Sequence, residues 1–285
     1  MSHIVVTSAT GTVGRQLIAT LKTTDAKFSA MSSGTASELD GMPLVRGDFT
    51  QPESLKKAFA GIDTLFLLLP LAPDMLLMGR NAIAAAKAAG VRHVVRSSGA
   101  GADPDSPFAL ARVHGEIDRT LQDSGLAWTI LRPNSFMQNH LTYNLAQIRA
   151  GCYYAPHGQG ATSLIDVQDI AECAAGVLRD PMRHANRIYT LTGGEAIDNA
   201  TQMAIISAAT GREISYCDIP DSAAVQAMSN LGMPPTIIAW LSSLNAVIKT
   251  GYAAGTTSDV SELTGHLPRS YKDFVRTNAH RWAAQ

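Results

Sequence analysis

The sequence predicts an α/β chain, a doubly wound parallel sheet followed by a smaller, mainly helical C-terminal lobe. Three observations carry that expectation. Short apolar runs of β character alternate with helical patterns across the first two-thirds of the chain. The first run leads through a turn of small residues, Thr7-Ser8-Ala9-Thr10-Gly11, into a helix whose inner face reads Val13, Leu17, Ile18 and Leu21. After residue 192 the alternation gives way to helical patterns. Alternation of this kind implies parallel strands joined by right-handed crossovers, with helices on both faces.

Taken in order, the expected strands are 4–7, 28–31, 44–45, 64–69, 93–96, 128–131 and 188–191, and the expected helices 13–22, 52–60, 74–89 and 107–124. Pro52 after Gln51 marks a helix start, because proline suits the first helical position. The helix 74–89 opens after Pro73-Asp74, runs through an Ala-rich body and stops at Gly90. The longest apolar run, 65–72, contains Pro70 and is too short to cross a bilayer, so it reads as a buried parallel strand and the loop after it. Trp240, Leu241, Leu244, Val247 and Ile248 form an apolar helical face, read as core with the roof of a pocket as the alternative. The division expected is a core of residues 1–192 and a smaller, substrate-covering lobe of residues 193–285.

Composition narrows the function classes. Lys+Arg number 23 against 24 Asp+Glu, so a net charge of −1 gives no electrostatic ground for nucleic acid or an anionic membrane as partner. No basic segment followed by a cleavable apolar stretch opens the chain, which points away from export. Cys152, Cys173 and Cys217 are odd in number and scattered, and read as buried thiols of a reducing, cytoplasmic compartment. The histidines are dispersed with no ligand-like spacing, so no metal site is expected. A monomer or a homodimer fits equally.

Ligands of doubly wound sheets sit beyond the C-terminal ends of the strands, so the residues there carry most weight. After the first strand, Thr7, Ser8, Thr10, Gly11, Thr12, Val13 and Gly14 aim backbone N–H groups and the positive end of a helix dipole at one spot, which suits a pyrophosphate. Gly11 admits the phosphates, and Gly14 lets the helix pack close on its strand. Ser8 stands where the usual fingerprint has its first glycine, at a conformational cost if the turn needs a positive φ. After the second strand, Ser32, Ser33 and Thr35 stand where a dinucleotide's adenosine ribose lies. An acid there would repel a 2′-phosphate and a base would attract it. The run offers neither, and its hydroxyls donate to a phosphate without repelling it. The expected cofactor is therefore NADP(H) by preference, with NAD(H) possible.

Asp48 and Phe49 end the third strand. Either the carboxylate accepts from the adenine amino group while Phe49 packs on the ring, or Asp48 is the entry residue of the next helix. Leu68, Leu69 and Pro70 end the fourth strand, on the ribose and nicotinamide side. Ser97 and Ser98 end the fifth, where a hydroxyl either faces the reacting centre or forms the turn.

Several segments together resemble one family. They are Thr7-Ser8-Ala9-Thr10-Gly11-Thr12-Val13-Gly14, Arg46-Gly47-Asp48, Val91-Arg92-His93-Val94-Val95-Arg96-Ser97-Ser98, Leu110-Ala111-Arg112-Val113-His114-Gly115-Glu116-Ile117, Trp128-Thr129-Ile130-Leu131-Arg132-Pro133-Asn134-Ser135-Phe136-Met137-Gln138-Asn139, Asp166-Val167-Gln168-Asp169-Ile170-Ala171 and Glu262-Leu263-Thr264-Gly265-His266-Leu267-Pro268-Arg269-Ser270. The set resembles the NmrA-like family of the atypical short-chain dehydrogenase/reductases over nearly the whole chain. That resemblance implies a Rossmann-type core with a small C-terminal substrate lobe. The family includes quinone and dye reductases as well as redox-sensing regulators that bind the nucleotide without turnover. The basic residue often found after the second strand in these reductases is missing.

The parent superfamily uses a Tyr as proton donor with a Lys four residues later, and the corresponding positions here are Leu110 and His114. Reducing a simple ketone builds an alkoxide that needs a well-placed acid, whereas a quinone, enone, imine or dye spreads the charge and needs it far less. The expected activity is an NAD(P)H-dependent reduction of an apolar, conjugated small molecule that relies on positioning. A non-catalytic redox sensor is the alternative. His114 and Ser98 are the catalytic candidates. His114 orients the nicotinamide ribose or supplies a proton, or else is a surface histidine beside Glu116. Pro133, Asn134, Ser135 and Phe136 end the sixth strand and would wall the nicotinamide, and Arg132 either joins them or pairs with a core carboxylate. An epimerase or dehydratase would need an acid/base pair that cannot be placed. A Ser-His-Asp hydrolase would need a Gly-x-Ser-x-Gly elbow that the chain lacks.

Overall fold

The computed structural model describes residues 3–283. The chain forms two units, one taking the sequence up to Pro107, Ala111–Arg132 and Ile170–Thr190, the other Phe108–Leu110, Pro133–Asp169 and the chain from Leu191 onward. The units interleave, whereas the expected division was a single cut at 192/193. The reason lies in segment 133–169, whose buried residues Met137, Ile148, Tyr153 and Leu164 share a core with residues 203–282.

The first unit follows the expected alternation: β1 (His3–Val6), α1 (Thr12–Leu21), β2 (Lys27–Ser32), β3 (Glu38–Leu39), β4 (Met42–Arg46), α2 (Pro52–Ala58), β5 (Thr64–Leu68), α3 (Met75–Ala88), β6 (His93–Ser97), α4 (Ala109–Gln122) and β7 (Ala127–Pro133). Ile4, Val5 and Val6 of β1, Leu65–Leu67 of β5 and Val94 and Val95 of β6 are all buried, as strands covered on both faces must be. Leu17, Ile18 and Leu21 put the inner face of α1 into the same core, each burial contributing about 1.5–3 kcal/mol. The remaining elements are α5 (Leu145–Arg149), β8 (Cys152–Ala155), β9 (Ala161–Thr162), α6 (Val167–Arg179), β10 (Arg187–Leu191), β11 (Ile197–Asp198), α7 (Asn199–Thr210), β12 (Ser215–Asp218), α8 (Asp221–Asn230), α9 (Pro235–Lys249), α10 (Asp259–Thr264) and α11 (Tyr271–Asn278).

The main sheet has eight strands in the order β10-β7-β6-β5-β1-β2-β4-β3. The pairs β4–β2, β2–β1, β1–β5, β5–β6 and β6–β7 are parallel, and β3 adds an antiparallel edge. The strand order reverses at β1, so the crevice beyond β1 and β5 is the point where sheets of this class bind ligands. This is the expected Rossmann-like, doubly wound α/β architecture.

In the second unit β8 pairs with β12 in parallel and β9 with β11 antiparallel. Its core gathers Met137, Ile148, Tyr271, Phe274 and Trp282 around His140, whose ring nitrogen meets the Tyr271 hydroxyl at 2.7 Å while its carbonyl accepts from the Trp282 indole at 2.8 Å. Cys152 and Cys217 form a disulfide, because the β8–β12 ladder brings together residues 65 apart in sequence. The expectation of three buried thiols is therefore corrected: it holds for Cys173 alone. The cysteine argument for a reducing compartment falls with it. On α9 only Trp240 and Ile248 are buried, and Leu241, Leu244 and Val247 remain half-exposed, so this face is less of a core than expected. Among the described residues no helix is long and apolar enough to cross a membrane.

Candidate active site

The turn after β1 is tied to the end of β5. The Thr7 hydroxyl accepts from the Leu68 N–H at 2.9 Å, and the Ser8 hydroxyl donates to the Leu68 carbonyl at 2.8 Å. Ser8 has a φ of +47°, so the turn does need the left-handed conformation. For a residue with a Cβ that conformation costs about 1–2 kcal/mol. Its carbonyl accepts from the Gly11 N–H at 3.0 Å. A Cβ on Gly14 would lie 2.3 Å from the Ser8 oxygen and 2.9 Å from Ala9 Cα, both backbone atoms that cannot yield, so glycine alone fits. Thr10, Gly11 and Thr12 are exposed, and no side chain caps α1. The first N–H groups of the helix are thus free for an anion at the positive end of its dipole. The Val13 side chain is buried, which leaves its backbone as the group a ligand can use.

Ser32 is buried, and its hydroxyl accepts from the Gly34 N–H at 3.2 Å, while Ser33 is exposed. The register of β2 and β4 sets Arg46 opposite Ser32. Arg46 is exposed and makes no hydrogen bond or ion pair among the described residues. A basic group therefore does stand beside the Ser32 run, supplied by the next strand, where strand register and not linear sequence reveals it. Asp48 accepts from the Thr50 N–H and hydroxyl, both at 2.8 Å, at the entry to α2, so the turn role is filled. Phe49 is buried, and its carbonyl accepts from Asn81 at 2.9 Å. Leu68 and Leu69 are half-buried and Pro70 is exposed.

Ser97 and Ser98 are buried at the end of β6. The Ser98 N–H donates to the Leu131 carbonyl at 2.7 Å, but its buried hydroxyl has no hydrogen-bond partner among the described residues. An unsatisfied buried polar group costs about 1–3 kcal/mol, which a ligand's polar atom would recover.

His114, on α4, is half-buried, its ring 3.4 Å from where a Cβ on Gly99 would sit. Behind it lies a buried charge cluster. Arg96 donates from Nε to Asp118 Oδ1 at 2.7 Å, and Arg132 donates from Nη2 to Asp118 Oδ2 at 2.9 Å. Arg132 thus takes the core-pairing role. Burial first, and the Arg96 guanidinium second, pull the His114 imidazole down to about 3. The sequence reading passed over Arg96 and Asp118. The available signal was a charge in the apolar strand run Val94-Val95-Arg96, which has to find a counter-ion when buried.

Pro133, Asn134, Ser135 and Phe136 belong to the second unit. The Asn134 amide donates to Ser163 Oγ at 2.8 Å and the Ala253 carbonyl at 2.9 Å, and its oxygen accepts from the Ser135 N–H at 2.8 Å. Phe136 is half-buried and bridges to Ile165, and Pro133 is buried. A cavity of about 260 Å³ in this unit, lined by Met137, Leu164, Glu195, Ile197, Arg269 and Tyr271, contains none of the candidate catalytic or cofactor-binding residues, although Met137 and Arg269 fall in segments that carry the family resemblance.

Residues 8–181 match the NAD(P)H-binding family. The chain is 38% identical over 285 residues to the NAD(P)H azoreductase of Xenophilus azovorans, covering 99% of each. The crystal structure of the NADPH-dependent quinone oxidoreductase QOR2 of Escherichia coli with NADPH superposes with a TM-score of 0.85 at 26% identity, over 96% of this chain and 99% of that one. Nmra, a negative transcriptional regulator, in complex with NAD, gives a TM-score of 0.76 at 18% identity over 96% of this chain and 94% of that one, a likeness of fold alone.

Proposed function

The chain belongs to the NAD(P)H-binding family, and on that premise we propose that it is an NADPH-preferring reductase of conjugated small molecules such as quinones, enones, imines or dyes, working without a tyrosine proton donor. The observation that carries the reading is position. Thr7–Gly14, Leu68, Leu69 and Pro70, and Ser97 with Ser98, follow the adjacent parallel strands β1, β5 and β6 where the strand order reverses. Whole-length likeness to an azoreductase supports the same assignment.

The residues fit a dinucleotide. The uncapped start of α1 offers its N–H groups to the diphosphate, and the orphaned Ser98 hydroxyl offers a buried polar contact. Ser33 and Arg46 favour a 2′-phosphate, Arg46 by charge. When bound, the reduced nicotinamide supplies the hydride. Leu110 stands at the position of the superfamily's tyrosine, so no phenol serves as acid there.

Titration with NADPH, NADH, NADP and NAD, followed by nucleotide fluorescence and tryptophan quenching, tests the assignment. Tightest binding of NADPH is expected. Equal or tighter binding of an oxidised nucleotide would mark a redox sensor instead, and binding of none would overturn the cofactor assignment.

A further inference from the structure

The charge cluster behind His114 has a chemical consequence for the site. A guanidinium has donors and no acceptor. Arg96 Nη2 lies 3.2 Å from His114 Nδ1, so Nδ1 must be the bare, accepting nitrogen and the ring proton must sit on Nε2. The same Nη2 also reaches the His114 carbonyl at 3.4 Å, and Arg96 Nε is held by Asp118. Arg96 and Asp118 are fully buried, so this geometry is fixed by packing as well as by charge. Nε2 makes no hydrogen bond among the described residues, and the ring lies against Gly99, the residue that follows Ser98 in sequence.

We propose that Arg96 is a positioning residue that locks His114 in its Nε2–H form, so that His114 serves the strand-end site as a standing hydrogen-bond donor and not as a proton donor. The inference rests on the reductase reading for what the hydrogen bond is used for, but not for the tautomer itself. The groups facing the imidazole are Arg96 from β6, Arg132 from β7 and Asp118 from its own helix. Two cations against one carboxylate leave the cluster with a net positive charge, which opposes a further proton on the ring. It also polarises the Nε2–H bond towards an oxygen or nitrogen atom of a bound molecule that gains electron density. Besides the hydride, reduction of a double bond consumes a single proton, which is then taken from water, and the imidazole ends each turnover as it began.

Histidine-selective nitrogen NMR of the full-length protein tests this directly, with the His114 signal assigned by its loss in His114→Gln. The expected result is a bare Nδ1 and a protonated Nε2 that do not titrate across the neutral and mildly acidic range. A protonated Nδ1, or titration near the ordinary histidine value, would overturn the proposal. In Arg96→Met nothing holds Nδ1 bare, and the His114 nitrogen shifts are expected to move towards a mixture of the two tautomers; an unchanged signal in a folded variant would show that Arg96 does not set the tautomer. Should that variant fail to fold, the wild-type spectrum still decides. Turnover separates donor from acid. Hydrogen-bond donation predicts kcat/KM without a histidine-like pH dependence, His114→Gln keeping its donor and His114→Ala falling about tenfold below it. Equal losses in the two variants would contradict the donor role. Absence of turnover with every acceptor would sink the reductase reading while leaving the NMR result to stand or fall alone.

Discussion

The Ser8 hydroxyl donates to the Leu68 carbonyl at 2.8 Å and ties the turn after β1 to the last residue of β5, across the place where the sheet order reverses. Ser8 makes that bond from a left-handed backbone, at φ +47°. Ser8→Gly removes a conformational cost of about 1–2 kcal/mol and a hydrogen bond worth about 0.5–1.5 kcal/mol, so stability is expected to stay within about 1 kcal/mol. Ser8→Val loses the bond and forces a β-branched residue into the same conformation, with an expected loss of about 1–3 kcal/mol. Urea unfolding of the two variants measures the difference.

Gly14→Ala puts a methyl group 2.3 Å from the Ser8 carbonyl oxygen, so α1 must move off its strand. Nucleotide affinity is expected to fall at least about tenfold, the equivalent of about 1.4 kcal/mol. At Gly11 the corresponding contact is 3.3 Å, and Gly11→Ala is expected to disturb the turn less. Nucleotide fluorescence titration of both variants checks the order.

Arg46 stands opposite Ser32 with no partner among the described residues. If it reads the 2′-phosphate, Arg46→Ala should weaken NADPH binding by about 10-fold or more, as expected for a charge-assisted contact of about 1.5–3 kcal/mol, and leave NADH nearly unchanged. Equal losses for the two nucleotides would remove Arg46 from that role.

Acid should destabilise the fold early. His93 lies at about 4, His114 at about 3 and His140 at about 4, each lowered chiefly by burial. The unfolded chain takes up these protons near the ordinary histidine value of about 6.5, before the folded one does. Their contribution to stability is whole above that value and is lost as pH falls through the folded values. The urea midpoint is therefore expected to drop between about pH 7 and about pH 5; a flat profile would mean that these rings are not buried as neutral groups.

Reduction of the Cys152–Cys217 disulfide, or Cys152→Ser, is expected to cost about 2–4 kcal/mol because the link closes a long loop of the second unit. Unfolding with and without reductant measures it. Cys173→Ala, at a buried cysteine outside the disulfide, is expected to lose as much stability on reduction as the wild type, whereas Cys152→Ser should no longer respond to reductant.

Much of this was legible in the sequence where a segment's own pattern decides its structure. The run Ile4-Val5-Val6 is a strand because it is apolar on both faces, and Gly90, at φ +75°, stops α3 where a left-handed residue is required. The two- to four-residue strands β3, β8, β9, β11 and β12 escaped because their pairing comes from distant chain and too few residues repeat to show a period. α6 keeps a clear amphipathic pattern and was legible in principle, although the expected helices did not include it. In the candidate site, Thr7–Gly14 could be read because strand, turn and helix are contiguous. Arg46 beside Ser32, Arg96 behind His114 and Cys152 bonded to Cys217 could not, because each is a relationship created by strand pairing or helix packing.

A single-turnover reaction tests the central claim most directly. Protein loaded with one equivalent of NADPH is mixed with an azo dye or a quinone, and reduced nicotinamide and acceptor are followed together. The expected result is loss of the NADPH signal in step with acceptor reduction, two electrons for each nucleotide, and far slower without the protein. NADPH bound tightly yet left unoxidised by quinone, enone, imine and dye alike would contradict the account.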